Sequence, residues 1–231
     1  MRHIVLDTET TGLDPAEGHR IVEIGAVELL GHVASGKTYH QFINPMRDMP
    51  AEAERVHGLS SEFLNDYPPF ERIIDDFLAF IDDAPLVIHN AAFDLRFLNA
   101  ELSRFGRPEL TADRSIDTLA MARRRFPGAP ASLDALCRRF GIDNTSREKH
   151  GALLDSELLA QVYLELIGGR QPDFALTINR EKSEVNQDAT AWKPGHRPRP
   201  LPQRLHRSEL EAHAAFVEEL GGSSLWARRG R

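Results

Sequence analysis

A single cysteine, Cys137, stands in 231 residues. An internal disulfide is therefore excluded, and the usage fits a reducing cytoplasm. Set among Leu133, Leu136 and Phe140, it reads as a small buried hydrophobe rather than a reactive thiol. Long apolar runs are also missing. None approaches the roughly 20 residues that a membrane span needs, so no membrane partner is expected. The opening Met-Arg-His-Ile-Val-Leu-Asp lacks an apolar signal core and reaches an acid at Asp7, so no secretory address is expected either. Positive charge is in deficit. The formal net charge of −7 argues against tight unaided binding to a long polyanion. The deficit is uneven: residues 1–167 hold 17 Lys+Arg against 27 Asp+Glu, whereas residues 168–231 hold 11 against 8. What is present suffices for a folded core, with 41% hydrophobic and 27% charged residues.

Residues 2–43 read as three strands. Ile4-Val5-Leu6 is a short apolar run, Arg20 to Leu30 is rich in β-formers, and Lys37 to Ile43 alternates through Tyr39. Gly12 to Pro15 and Gly31 to Gly36 read as the turns between them. Helical patterns follow near 50–56 and 60–65, and a stronger stripe of Phe70, Ile73, Ile74, Phe77, Leu78 and Ile81 predicts a helix over 70–81. Leu86-Val87-Ile88 is a buried strand. Asn90 is placed to cap a helix over 91–105. A short strand near 113–117 precedes helices near 118–125, 132–140 and 151–167. Three strands and then a helix–strand–helix alternation imply an α/β fold, a mixed β-sheet flanked by α-helices. From 168 to 207 the sequence is proline-rich with scattered charges and reads as a flexible linker. Periodicity returns at 208–220, where Ser208 and Glu211 suggest a capping box and Gly221-Gly222 a stop. The expected division is thus 1–167, 168–207 and 208–231, the last a C-terminal helical segment.

Several carboxylates fall where apolar side chains belong. Val5, Asp7 and Glu9 share one face of a strand, so two acids lie side by side at its end. Such acids repel and resist desolvation unless a cation lies between them. Hard oxygen donors suit Mg²⁺ or Mn²⁺ rather than zinc. A solvated strand end is the competing explanation. Asp94 precedes Phe97, Leu98 and Leu102 by three, four and eight positions, which puts it on the apolar stripe of its helix. Asp155 repeats the anomaly in line with Leu158, Leu159 and Val162, although a helix N-terminus itself favours an anion there. His150, five residues before Asp155, is a candidate base, since histidine is the side chain suited by nature to proton transfer near neutral pH.

The stretches Asp7-Thr8-Glu9-Thr10-Thr11-Gly12, His89-Asn90-Ala91-Ala92-Phe93-Asp94 and His150-Gly151-Ala152-Leu153-Leu154-Asp155 resemble the three exonuclease motifs of the DEDDh superfamily. The similarity spans about residues 2–167. It implies a ribonuclease-H-like fold and two divalent cations, Mg²⁺ or Mn²⁺, held by Asp7, Glu9, Asp94 and Asp155, with His150 as base. It implies hydrolysis of the 3′-terminal phosphodiester to a 5′-mononucleotide. It further implies that the backbone of Thr10 and Thr11, the side chain of Phe93, and His57 of Val56-His57-Gly58-Leu59 contact the terminal nucleotide. Arg123-Arg124-Arg125 could meet phosphates, but a solvated helix face is the stronger alternative.

The tail from Ser208 to Trp226 resembles the C-terminal segment of the epsilon proofreading subunits of bacterial DNA polymerase III. That likeness implies docking on the polymerase III alpha subunit through Leu210, Val217 and Trp226, and action on a single-stranded or frayed DNA 3′ end. Back-packing of the tail on the chain itself is the alternative. Gln171-Pro172-Asp173-Phe174-Ala175-Leu176 resembles the short sliding-clamp-binding peptides of replication proteins, with Gln171, Phe174 and Leu176 at the anchor places and a leucine where an aromatic is common. Two rival expectations remain: an RNA 3′-end trimmer of the same superfamily, and a mainly structural stabiliser of the polymerase. A metal-free hydrolase lacks a suitably placed nucleophile.

Overall fold

A computed structural model describes residues 1–145, 149–168 and 206–220. The chain divides into two units, Met1–Leu176 and Thr177–Arg231.

In the first unit a five-stranded sheet has the order β3-β2-β1-β4-β5. The strands are β1 (Arg2–Thr10), β2 (Ile21–Leu30), β3 (Val33–Phe42), β4 (Leu86–Ile88) and β5 (Ser115–Asp117). β1 pairs antiparallel with β2 and parallel with β4, and β4 pairs parallel with β5. Only the mixed sheet that the element order predicts accounts for this. One difference concerns the β2–β3 link. The turn is just Gly31-His32, and β3 starts at Val33 rather than Lys37. Both turn residues have positive φ, 57° and 69°, as tight hairpin turns between twisted strands require. Residues 33–37 are exposed along this edge strand, so no hydrophobic alternation marks them.

The helices are α1 (Ala51–His57), α2 (Ser61–Leu64), α3 (Phe70–Ile81), α4 (Ala91–Arg104), α5 (Thr118–Arg125), α6 (Leu133–Phe140) and α7 (Ala152–Leu166). They cover both faces of the sheet. Ile4 and Leu6 of β1 point to one side, into a core with Phe70, Ile73, Ile74, Phe77 and Ile81 of α3 and Leu95, Phe97, Leu98 and Leu102 of α4. Val5 points to the other side, against Val27, Val87 and the α7 residues Leu159, Ala160 and Tyr163. Cys137 is buried between α6 and α7 beside Leu136, Leu158 and Val162, as expected of a small hydrophobe. Arg125 is exposed, and its guanidinium donates to the carbonyls of Glu165 and Leu166 at 2.7 Å each. It therefore ties down the C-terminal end of α7, where a cation is favoured.

Two caps differ from expectation. Asn90 does precede α4, but it adopts the left-handed conformation (φ 67°) and makes no side-chain cap bond. Its N–H donates to Asp117 Oδ1, the same oxygen that caps α5. In the second unit, α8 spans Arg207–Glu219, with His206 as its N-cap. The Glu209 carboxylate accepts from the His206 N–H at 2.8 Å, so Ser208 lies inside the helix and the box sits two residues earlier than predicted. Leu210, Phe216 and Leu220 are exposed and Val217 is half-buried. Gln171, Phe174, Leu176 and Trp226 lie outside the described residues. Among the described residues, no helix is long and apolar enough to cross a membrane.

Candidate active site

The three parallel strands β1, β4 and β5 end on one side of the sheet, and open α/β sheets bind ligands outside such carboxyl ends. A cleft of about 280 Å³ lies there, lined by residues that include Asp7, Glu9, Phe93, Asp94, His150 and Asp155. The strand period places Asp7 and Glu9 on the face toward α7, the face that Val5 occupies one step earlier. At the end of β1 the pairing with β2 slips between Glu9 and Thr10, a bulge of the kind that re-aims side chains beside active sites.

Asp94 approaches from α4. It is 3% exposed, and its Oδ1 accepts from the Thr8 N–H at 3.1 Å and from Thr8 Oγ1 at 2.7 Å. This contact exists because the β1–β4 ladder runs only as far as Val5–Val87, which frees the Thr8 amide for a side-chain acceptor. Burial pushes the Asp94 carboxyl up to about 7, against the opposing pull of the Thr8 hydrogen bonds. Asp155 sits in the first turn of α7 and is 3% exposed. Its Oδ2 lies 3.3 Å from Nδ1 of His150, whose ring is about half exposed. His150 in turn donates its backbone N–H to Val56 at 3.3 Å, which anchors the segment before α7 to α1.

Glu9, His150 and Asp155 each offer a ligand atom within 4.8 Å of the other two. Carboxylate oxygens dominate this set and Asp7 and Asp94 line the same cleft, so the donor chemistry fits a hard divalent cation.

The remaining expected residues fall at differing distances from this centre. Phe93 lines the cleft, with its ring 5.1 Å from that of Phe97. Thr10 and Thr11, next along the chain after Glu9, are buried outside the cleft lining with their side chains committed to the loop. Thr10 Oγ1 donates to the Gly12 carbonyl at 2.6 Å, and Thr11 Oγ1 meets His19 Nδ1 at 3.1 Å and accepts from the Arg20 N–H at 3.0 Å. Their backbones thus have fixed positions, as a backbone contact to a ligand would need. His57 is buried outside the cleft lining, with Nδ1 accepting from the Leu59 N–H at 3.0 Å. Its pKa is lowered mainly by burial, with Lys149 and His150 adding to the effect.

Other residues come to the cleft without having been singled out. His89, Ser132, Leu133 and Asp134 line it too. His89 Nδ1 contacts Thr118 Oγ1 at 2.9 Å, and burial lowers its pKa. Gly25 is the least visible. It pairs with Asp7, and a Cβ added there would meet backbone atoms of Ala152 and Leu153 at 2.1 Å. Only a glycine lets α7 descend far enough to bring Asp155 to β1.

The chain is similar to known proteins in sequence and in fold. The family model described as Exonuclease (RNase_T) matches residues 4–163. DNA polymerase III subunit epsilon of Rickettsia felis is 57% identical over 233 residues, covering 95% of this chain and 97% of that protein. The Escherichia coli K12 protein of the same name is 43% identical, with 97% of each chain covered. Among solved structures, exonuclease X in complex with 5′ overhanging duplex DNA superposes with a TM-score of 0.56 at 26% identity, over 71% of this chain and 90% of that one. The nuclease domain of 3′hExo, a DEDDh family member bound to rAMP, superposes at 0.62 with 18% identity, over 72% and 91%. The latter likeness is one of fold.

Proposed function

We propose that this chain, which belongs to the exonuclease family and within it to the DNA polymerase III epsilon subunits, edits DNA 3′ ends with Asp7, Glu9, Asp94 and Asp155 as cation ligands and His150 as base. The activity is that of a 3′→5′ exonuclease with a proofreading function, a phosphodiester hydrolase that uses divalent metal. The observation that supports the assignment of roles is the convergence of acids from β1, α4 and α7 with His150 in one cleft.

The pair of ions, Mg²⁺ or Mn²⁺, would offset the negative charge that develops on the phosphate and the leaving oxygen. The chain's own residues do the rest. His150, with Nδ1 turned to Asp155, presents its other ring nitrogen to the attacking water and takes its proton. The water oxygen bonds to the terminal phosphorus, the bond from phosphorus to the 3′ oxygen of the next nucleotide breaks, and its electron pair leaves with that oxygen. A 5′-mononucleotide departs. Phe93 and the fixed backbone of Thr10 and Thr11 hold the terminal nucleotide, and His57 backs that pocket. A site that admits only a frayed strand favours mismatches without reading bases, because a mismatch lowers the cost of unpairing.

The partner is a polymerase. The finer assignment is to its alpha subunit, through Leu210, Val217 and Trp226 of the tail 208–231. The linker 168–207 gives the exonuclease a millimolar-range effective concentration at the primer end. Gln171, Phe174 and Leu176 form a sliding-clamp peptide, and loss of clamp pulldown on changing Gln171 and Phe174 to alanine is the expected result. The single cysteine supports a cytoplasmic setting. Digestion of a labelled mismatched primer should require Mg²⁺ or Mn²⁺, stop with EDTA and vanish in Asp7→Ala while polymerase binding persists. Digestion that survives both EDTA and Asp7→Ala would remove the cation reading. Matched RNA and DNA oligonucleotides separate the RNA-trimming alternative by their relative rates.

A further inference from the structure

Glu23 is a buried carboxylate that the chemistry above leaves unused. It lies on β2 opposite Glu9. Opposed residues of an antiparallel pair point to the same side, with Cβ atoms roughly 4.5–5.5 Å apart. That side faces α7, because Gly25 and Val27 continue the same row beneath the helix. Glu23 is 4% exposed. Its Oε1 accepts from His40 Nε2 at 2.7 Å. His40 stands on β3 opposite Gly25, which stands opposite Asp7, and its ring meets Phe42 edge-on at 4.7 Å. One row across the three strands thus reads Asp7, Gly25, His40, and the next reads Glu9, Glu23, Phe42.

A second buried acid beside Glu9 costs stability through desolvation and repulsion, and an apolar residue at that place would cost less. His40 draws the Glu23 carboxylate toward β3. Its charge then stays beside the cleft, behind Glu9, which lines it. We propose that Glu23, oriented by His40, is a positioning residue for the cation site, adding negative field behind Glu9 and fixing where that carboxylate points. The inference deepens the cation reading and rests on it.

Calorimetric titration of the full chain with Mn²⁺ tests it, alongside thermal melting in EDTA. Glu23→Gln keeps shape and removes charge, and should weaken Mn²⁺ binding about 10-fold, the lower end of what outer-shell partners of metal ligands contribute. Its metal-free melting temperature should not fall. Glu23→Asp keeps the charge and should restore most of the affinity. Wild-type affinity in Glu23→Gln, or a drop in melting temperature without a change in affinity, would overturn the inference. Glu9→Gln separates the two levels. If wild type binds Mn²⁺ and Glu9→Gln does not, a normal Glu23→Gln sinks only the role of Glu23. If wild type takes up no Mn²⁺, or Glu9→Gln binds it as well, the cation reading falls too.

Discussion

Gly25→Ala isolates how closely α7 must approach the sheet. The added Cβ would stand 2.1 Å from the Ala152 carbonyl carbon and the Leu153 nitrogen, whereas ordinary contact begins at 3.4 Å. Backbone cannot swing aside as a flexible side chain can, so the first turn of α7 must retreat by about 1.3 Å, the difference of those two distances. The retreat also stretches the buried bond from Ser156 Oγ to the Gly25 carbonyl, now 2.8 Å. Overpacking of this kind costs about 1–3 kcal/mol, and the strained hydrogen bond about 1 kcal/mol more. The functional cost should be larger. Asp155 and His150 move with that turn, and misplacement by about 1 Å is worth roughly 10²-fold in rate. Single-turnover digestion of a mismatched primer, with thermal melting in parallel, measures both. Gly151→Ala is the control, because Gly151 is the N-cap of the same helix at φ −150° and an added Cβ meets nothing within 4 Å among the described residues. It should behave as wild type. A folded Gly25→Ala protein that digests at the wild-type rate would refute the argument that this approach sets the site.

Metal-free stability should depend on pH through Asp94. Its carboxyl is raised to about 7 by burial, against about 3.9 in the unfolded chain. Between those values the unfolded chain has released a proton that the folded chain keeps. Stability is therefore full below about pH 4 and declines as pH rises toward 7, by up to about 4 kcal/mol. Urea melts in EDTA at several pH values should show the decline, and Asp94→Asn should flatten it while cutting digestion by about 10³-fold or more. His150→Gln should lower the rate about 10²–10⁴-fold, the range for loss of a general base. Leu210→Glu with Val217→Glu should abolish co-elution with the polymerase and leave digestion of short single strands intact.

The legible parts of the fold were those written in local periodicity. Alternation along β1 announced that Asp7 and Glu9 share a face, and helical spacing announced that Asp94 and Asp155 sit on apolar stripes, where both are buried. The stripe of α3 appears as read, with Phe70, Ile73, Ile74, Phe77 and Ile81 buried. What stayed hidden depends on neighbours distant in sequence. Thr8 holds Asp94 because a short β4 leaves its amide unpaired. Gly25 matters for the helix that crosses it, 127 positions later at Ala152. Ser132 and Asp134 reach the cleft through the placement of α6, and locally they signal only a helix start. Asn90 carried the right cap chemistry, but its backbone is left-handed and its side chain makes no cap bond to α4, while its own N–H donates to Asp117. Only His89 was within reach, since it opens one of the three motif stretches.

Asp94 reaches the cleft from the layer built on α3 and α4, whereas Asp155 reaches it from the layer built on α7. The sheet separates the two layers, and the acids meet beyond the carboxyl ends of its parallel strands. A nascent or half-melted chain, with one layer docked and the other loose, cannot gather the carboxylates and so harbours no blade. Such a hydrolase is disarmed by its own architecture until both layers are docked on the sheet.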